Sequence, residues 1–263
     1  MPIPSPTSTV YRVDFRAPDI IFQQGFQPRG NNMNIIDHLS GRSTYGQHAS
    51  FTHNSGLIST AGIRNAAIRI GYSNAQAWQM HNTGTPPTMY LYEIRGTDNM
   101  YNARAPMENY MEMYAGNTGQ YRFWASRIAN DAETEEWVAA GAIEPEQISR
   151  AYSLTFAARG EVPTVSEAPV ATNSAFVQTG STTSAEVYPV ADGDNVTPWY
   201  MPGGRLMQRI PTAFACCFTS NEDLNKKANL NASEMICDGF KPIELESVKY
   251  DHYIKLINHH DEL

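Results

Sequence analysis

Two guanidiniums and a carboxylate, Arg12, Asp14 and Arg16, stand at alternate positions near the start of the chain, with Tyr11, Val13 and Phe15 interleaved. At a strand's two-residue period the three charges share one face and the bulky apolar groups share the other. Arginine presents a rigid fork of donors that matches phosphate or carboxylate, so this strand suits a cleft that grips an anion. The same pattern also describes a solvated strand face. Further candidates for chemistry are His38, the Ser59-Thr60 pair after Leu57-Ile58, and the acidic run Glu133-Thr134-Glu135-Glu136 ahead of Trp137-Val138. Crowded carboxylates repel, which can hold one of them poised for hydrogen bonding or proton transfer. Each candidate has a plain alternative: a half-buried histidine, a helix cap for Ser59-Thr60, a solvated acidic face.

Several chemistries are not expected. The seven histidines show no HExxH spacing and the three cysteines form no CxxC pairs, so no metal site is predicted. P-loop and dinucleotide-binding glycine fingerprints are missing, and a nucleotide would have to be held in another way. The net charge of −8 argues against nucleic acid as partner. No apolar run approaches the roughly 18 to 20 residues that cross a bilayer, so a soluble protein without a membrane span is expected.

The elements that must position these residues are legible in part. The 263 residues, 41% apolar and 17% charged, fit one large domain or one domain plus an appendage. Pro18 to Gln24 followed by Gly25 has a helix's proline start and glycine stop. Asn34 to Leu39, ended by Gly41, predicts a second short helix, Ala61 to Gln79 a longer one, and Met89 to Arg95 a strand. Residues 160 to 212 are rich in Ser, Thr, Pro and Gly and read as extended segments and loops wrapped on the first part.

The last 50 or so residues read differently. Cys216 or Cys217 is expected to pair with Cys237 around a polar stretch, a staple worth roughly 3 kcal/mol in the chain-entropy model. Lys226-Lys227 inside it suits a trypsin-like cut, after which the bridge would tether two fragments; an ordinary stapled loop is the alternative. A helix is predicted from about Pro242 to Asn258, with an apolar stripe through Tyr250, Ile254 and Ile257. The final His260-Asp261-Glu262-Leu263 matches an endoplasmic-reticulum retrieval address. The opening Met1-Pro2-Ile3-Pro4-Ser5-Pro6 has neither a basic nor an apolar segment, so no signal peptide is expected there.

Arginine on an N-terminal strand, Ser-Thr on a later one and a glutamate after an acidic loop is the three-part pattern of the mono-ADP-ribosyltransferase toxins. The chain resembles the pertussis-type catalytic A subunits within that group. The likeness is carried by Val10 to Pro18, Phe22 to Phe26, Gly30-Asn31-Asn32, Asp37 to Ser43, Leu57 to Ala61, Tyr90 to Arg95 with Asn99 to Tyr101, and Glu136 leading to Ile143-Glu144-Pro145-Glu146-Gln147-Ile148. It implies an α+β ADP-ribosyltransferase fold with two small antiparallel sheets around an NAD cleft. Its implied function is that of a bacterial toxin A subunit, transferring ADP-ribose from NAD to a host heterotrimeric G-protein α subunit and releasing nicotinamide. Main activity as an NAD glycohydrolase and a non-catalytic secretory-pathway binding protein are the rival readings.

The resemblance also implies roles. Arg12 would hold the NAD phosphates, with Tyr11, Asp14 and Thr60 lining the cofactor site. Ser59 would bond and position the catalytic carboxylate Glu136, and His38 would support the acceptor or ribose. Thr134 stands two before Glu136 where relatives carry glutamate or glutamine, so the register could instead make Glu133 and Glu135 the paired carboxylates, and the acceptor side chain stays open between cysteine and others. Ala61, Arg29 and Thr44 also depart from the pertussis pattern, Thr44 standing where that pattern has its first bridge cysteine. That departure, with the terminal address, implies a cholera-like tail: a catalytic domain over 1–215, a disulfide-closed nicking loop over 216–237, and residues 238–263 docking into a glycan-binding B pentamer. Such a protein would be secreted, bind the retrieval receptor, and be delivered to the host endoplasmic reticulum and cytosol.

Overall fold

The computed structural model describes residues 4–39, 54–81, 85–113, 115–116, 118–156 and 163–189. The Gly41 to Thr44 stretch, the three cysteines, Lys226-Lys227, the helix expected over 242–258 and the terminal address lie outside the described residues.

Strand β1 (Thr9–Asp14) pairs along its whole length with β3 (Met89–Arg95), from Thr9 opposite Arg95 to Asp14 opposite Tyr90. Against β2 (Leu57–Ala61) its register has only Tyr11 opposite Ala61. That thin contact is a seam in an eight-stranded sheet. On one side lie β1, β3, β6 (Ile148–Thr155) and the two-residue strands β7 (Thr164–Val165) and β8 (Ala171–Thr172). On the other, β2 pairs with β5 (Glu136–Ala140), which pairs with β4 (Met100–Asn102). The two expected small sheets are thus two antiparallel halves of one hydrogen-bonded order, joined where Tyr11 of β1 pairs with Ala61 of β2.

The strand expected to reach Arg16 stops at Asp14 because Asp14 Oδ1 accepts the Arg16 backbone N–H at 2.9 Å, turning the chain before Pro18 opens α1 (Pro18–Gln24). Gly25 ends α1 at φ 65°, and a Cβ there would run into the Ile143 carbonyl. This close approach lets Phe26 and Ile143 exchange backbone bonds of 2.8 and 2.9 Å. Asn34 caps α2 (Ile35–Leu39) by accepting from the amides of Ile36 and Asp37. The long helix begins later than expected, as α3 (Arg64–His81), because Ala61 is drawn into β2 by its pairing with Tyr11 and Glu136.

Two helices that periodicity did not announce fill the space before β5. They are α4 (Arg104–Met113) and α5 (Thr118–Thr134). With α2 they cover one face of the β2–β5 half, burying Ile36, Leu39, Met107, Trp124 and Ile128 against Leu57 and Val138. Helix α3 covers β1, β3 and β6 through Val13, Leu91 and Leu154. Residues 163–189 run over this body as extended chain: Asn173 Nδ2 donates to the carbonyls of Pro145 and Ile148, and the Tyr188 hydroxyl to that of Met33.

Candidate active site

At the seam, Arg12 leaves β1 and donates from a terminal guanidinium nitrogen to the Ser59 carbonyl on β2 at 2.6 Å. Its guanidinium lies over the Phe26 ring, 5.3 Å from the centroid, and that of Arg16 lies 5.5 Å from the same ring. Asp14 holds Arg16 through both carboxylate oxygens, at 2.9 and 2.8 Å. Burial pushes the Asp14 carboxyl up, but the charge and hydrogen bonds of Arg16 and the charge of Arg12 bring it below the usual carboxylate range. Asp14 therefore stays ionised and orients Arg16.

Across the seam, β2 and β5 set Ala61 opposite Glu136 and Ser59 opposite Val138. Strand alternation puts Ser59 and Glu136 on the same face, diagonal to each other. Thr60 points to the opposite face, where its hydroxyl donates to the Trp137 carbonyl at 2.8 Å. Tyr11 likewise faces away from Arg12, packing on the cluster under α3.

Helix α2 supplies His38, 3% exposed, whose Nδ1 lies 2.7 Å from Ser55 Oγ and Nε2 2.6 Å from Ser59 Oγ. Ser55 Oγ donates to the Leu57 carbonyl, so it accepts from Nδ1–H; Nε2 is then the acceptor for the Ser59 hydroxyl proton. Burial first, then the charges of Arg12 and Arg127, push the imidazole down to about 3, and it is neutral at physiological pH.

Glu136, 4% exposed, is held from α5. Arg127 donates to its Oε2 at 3.1 Å, and Asp131 Oδ1 accepts its backbone N–H at 2.7 Å. Between helix and strand only Glu135 intervenes, in the left-handed region at φ 47°. The Glu136 carbonyl accepts from Ala103 at 2.9 Å, so its backbone is tied on both sides. Burial, with the charge of Glu136 adding to it, raises Asp131 to about 7 against the lowering contributions of the Glu136 amide and of Arg127 and Arg104.

The fold thus brings Arg12, His38, Ser59 and Glu136 to one place, while Tyr11 and Thr60 sit on faces turned away and Asp14 acts on the arginines. Ser59 was expected to bond Glu136; in the structure its hydroxyl serves His38, and Arg127 takes the carboxylate. Glu133 stands apart, its side chain 71% exposed near Arg69. Arg127, Asp131 and Ser55 were not singled out from sequence. The signal for the first two is the α5 stripe Trp124, Arg127, Ile128 and Asp131, whose helical spacing buries two charges beside two apolar anchors.

A sequence profile of the pertussis toxin, subunit 1 family matches residues 5–189. The chain belongs to the pertussis toxin subunit 1 family. It is 35% identical to pertussis toxin subunit 1 of Bordetella pertussis over 149 residues, 55% of this chain and 52% of that one. It is 36% identical to the ADP-ribosylating toxin CARDS of Mycoplasma pneumoniae over 111 residues, 42% of this chain and 17% of that toxin. Among solved structures, EcPltA superposes with a TM-score of 0.53 at 28% identity, covering 70% of this chain and 95% of that one. This pertussis-type chain spans about half the length of the Bordetella relative, and its α+β fold is shared with the ADP-ribosylating toxin CARDS, on which it superposes with a TM-score of 0.53 at 23% identity over 74% of this chain and 35% of that one. Among the described residues of this family member, no helix is long and apolar enough to cross a membrane.

Proposed function

We propose that this chain cleaves NAD at the nicotinamide–ribose bond and transfers ADP-ribose to a host protein, as the catalytic part of a toxin A subunit. The observation that carries the reading is the convergence at one seam of a cation, Arg12, and a buried carboxylate, Glu136, whose Oε1 has no hydrogen-bond partner among the described residues. An orphaned buried acceptor fits a ribose hydroxyl, and a guanidinium fits a pyrophosphate.

In that chemistry the C–N bond breaks with its electron pair passing to nicotinamide, and the sugar carbon develops positive charge. Glu136 stabilises that charge at close range in a dry site, as a carboxylate does in glycoside cleavage. The acceptor atom bonds to the sugar carbon and gives up its proton to solvent. Arg12 binds the phosphates, and the neutral His38 fixes the Ser59 hydroxyl and the strand beside them. A G-protein α subunit is the acceptor we favour, on cysteine first.

Glu136→Asp tests the assignment, with nicotinamide release and mass spectrometry of labelled host-cell protein as readouts. Withdrawing the carboxylate by one methylene is expected to lower both by about 100-fold. Undiminished turnover would sink the assignment of Glu136. Nicotinamide release without protein labelling would make the chain an NAD glycohydrolase, and no turnover in the wild type would favour a binding protein.

We also propose that residues 216–237 form a nicking loop cut at Lys226-Lys227 and that 238–263 dock into a pentameric B subunit. Trypsin should then yield fragments that separate on a gel only with reductant; separation without it removes the tether.

A further inference from the structure

We propose that Arg127 and Asp131 are positioning residues for Glu136, with Arg127 fixing one carboxylate oxygen so that the other is left for the ribose hydroxyl, and Asp131 fixing the backbone from which that side chain projects. The inference rests on the catalytic reading of Glu136 above.

Both residues lie on one face of α5, four positions apart. The Arg127 and Glu136 side chains are 8% and 5% exposed, so their pair is shielded from water and holds one geometry. Arg127 reaches Oε2 only, and Oε1 is left without a partner among the described residues. Asp131 reaches the other handle. Its Oδ1 accepts the Glu136 amide at 2.7 Å, across the corner where Glu135 adopts φ 47° and the helix passes into β5 with no further linker. Its Oδ2 is buried and has no partner among the described residues. Burying the apolar anchors Trp124 and Ile128 does not require a guanidinium and a carboxylate on the same stripe at positions 127 and 131. Supporting a nearby carboxylate does.

A residue that orients the carboxylate for the transition state, and does not itself touch NAD, should act on kcat and spare KM. Arg127→Gln is expected to lower kcat for nicotinamide release about 100-fold with KM for NAD within about threefold, since a misplacement near 1 Å has that effect. Arg127→Lys keeps the charge without the fork and should recover about tenfold of the loss. Asp131→Ala should lower kcat about tenfold, and Asp131→Asn, which retains an acceptor oxygen, should regain most of that. Unchanged kcat in Arg127→Gln, or a loss confined to KM, overturns the proposal. If the glutamine variant does not fold, Arg127→Lys is read alone, and wild-type kcat in it overturns the proposal equally. Should the wild type not cleave NAD, the catalytic reading fails separately. Crystal structures then decide this inference: Glu136 displaced from its corner in Arg127→Lys supports positioning, and Glu136 unmoved overturns it.

Discussion

The two sides of the seam handle charge in opposite ways. On the β1 side, Arg12 and Arg16 stack on Phe26, and Asp14 and Arg16 form a pair with side chains still 14% and 20% exposed. On the β2–β5 side, His38, Arg127, Asp131 and Glu136 are all under 9% exposed and tied by side-chain and backbone bonds beneath α2 and α5. On the first side the cations are only partly buried, Arg12 anchored to the Ser59 carbonyl and Arg16 to Asp14, with both guanidiniums against the Phe26 ring. The second is held at several points, which suits the proposed role of Glu136 in meeting a developing charge without reorganisation. On the proposed reading, the β1 side binds the anion and the β2–β5 side carries the chemistry.

The largest effect that would break it is kinetic. Arg12→Gln should raise KM for NAD by about 10- to 100-fold, the value of a charge-assisted contact, with a smaller fall in kcat. A pure kcat loss would erase the distinction between the sides.

Acidity sharpens the comparison. On the β1 side Asp14, held below the usual range, contributes stability present above its unfolded value near 4 and lost as pH falls through its lower folded value. On the other side two groups oppose each other. His38, at about 3 when folded, makes stability rise with pH up to its unfolded value near 6.5. Asp131, at about 7 when folded, makes stability fall as pH rises from about 4 to about 7. Their slopes offset between about pH 4 and 6.5. Asp131→Asn removes one, so denaturant unfolding of that variant should show stability rising across this window by up to about 1.4 kcal/mol per pH unit, where the wild type is nearly flat. A flat variant would contradict the neutral, buried His38.

Ser59→Ala leaves His38 Nε2 buried without its donor and should destabilise by about 1 to 3 kcal/mol by thermal unfolding. Thr60→Val loses a single buried bond to the Trp137 carbonyl and should fall at about 1 kcal/mol. Glu135→Gly should have the smallest effect: it relieves a left-handed residue and is expected to gain up to about 1 kcal/mol in the same assay. Destabilisation there would mean that the Glu135 side chain, not only its backbone, supports the corner.

Much of the frame was legible because its signals are local. Pro18 and Gly25 bound α1 as read, Met89–Arg95 is the strand its alternation announces, and the charged and apolar faces of β1 divide as their period requires. Helices α4 and α5 were not legible as elements, since their apolar residues are interrupted by buried charge: Arg104 in one, Arg127 and Asp131 in the other.

By itself the sequence determined the pertussis-type order of arginine, Ser-Thr and glutamate, and the strand that carries the arginines, because each depends on neighbours within a few residues. Which hydroxyl serves which partner was decided only by tertiary structure. His38 lies 17 and 21 residues from the serines it bridges, and Arg127 and Glu136 meet only because α5 turns back into β5 at Glu135. Those partners are chosen by desolvation. Once α2 and α5 close over β2 and β5, every buried charge must find an opposite charge or a donor in whatever the packing brings near, and sequence separation has no part in that choice.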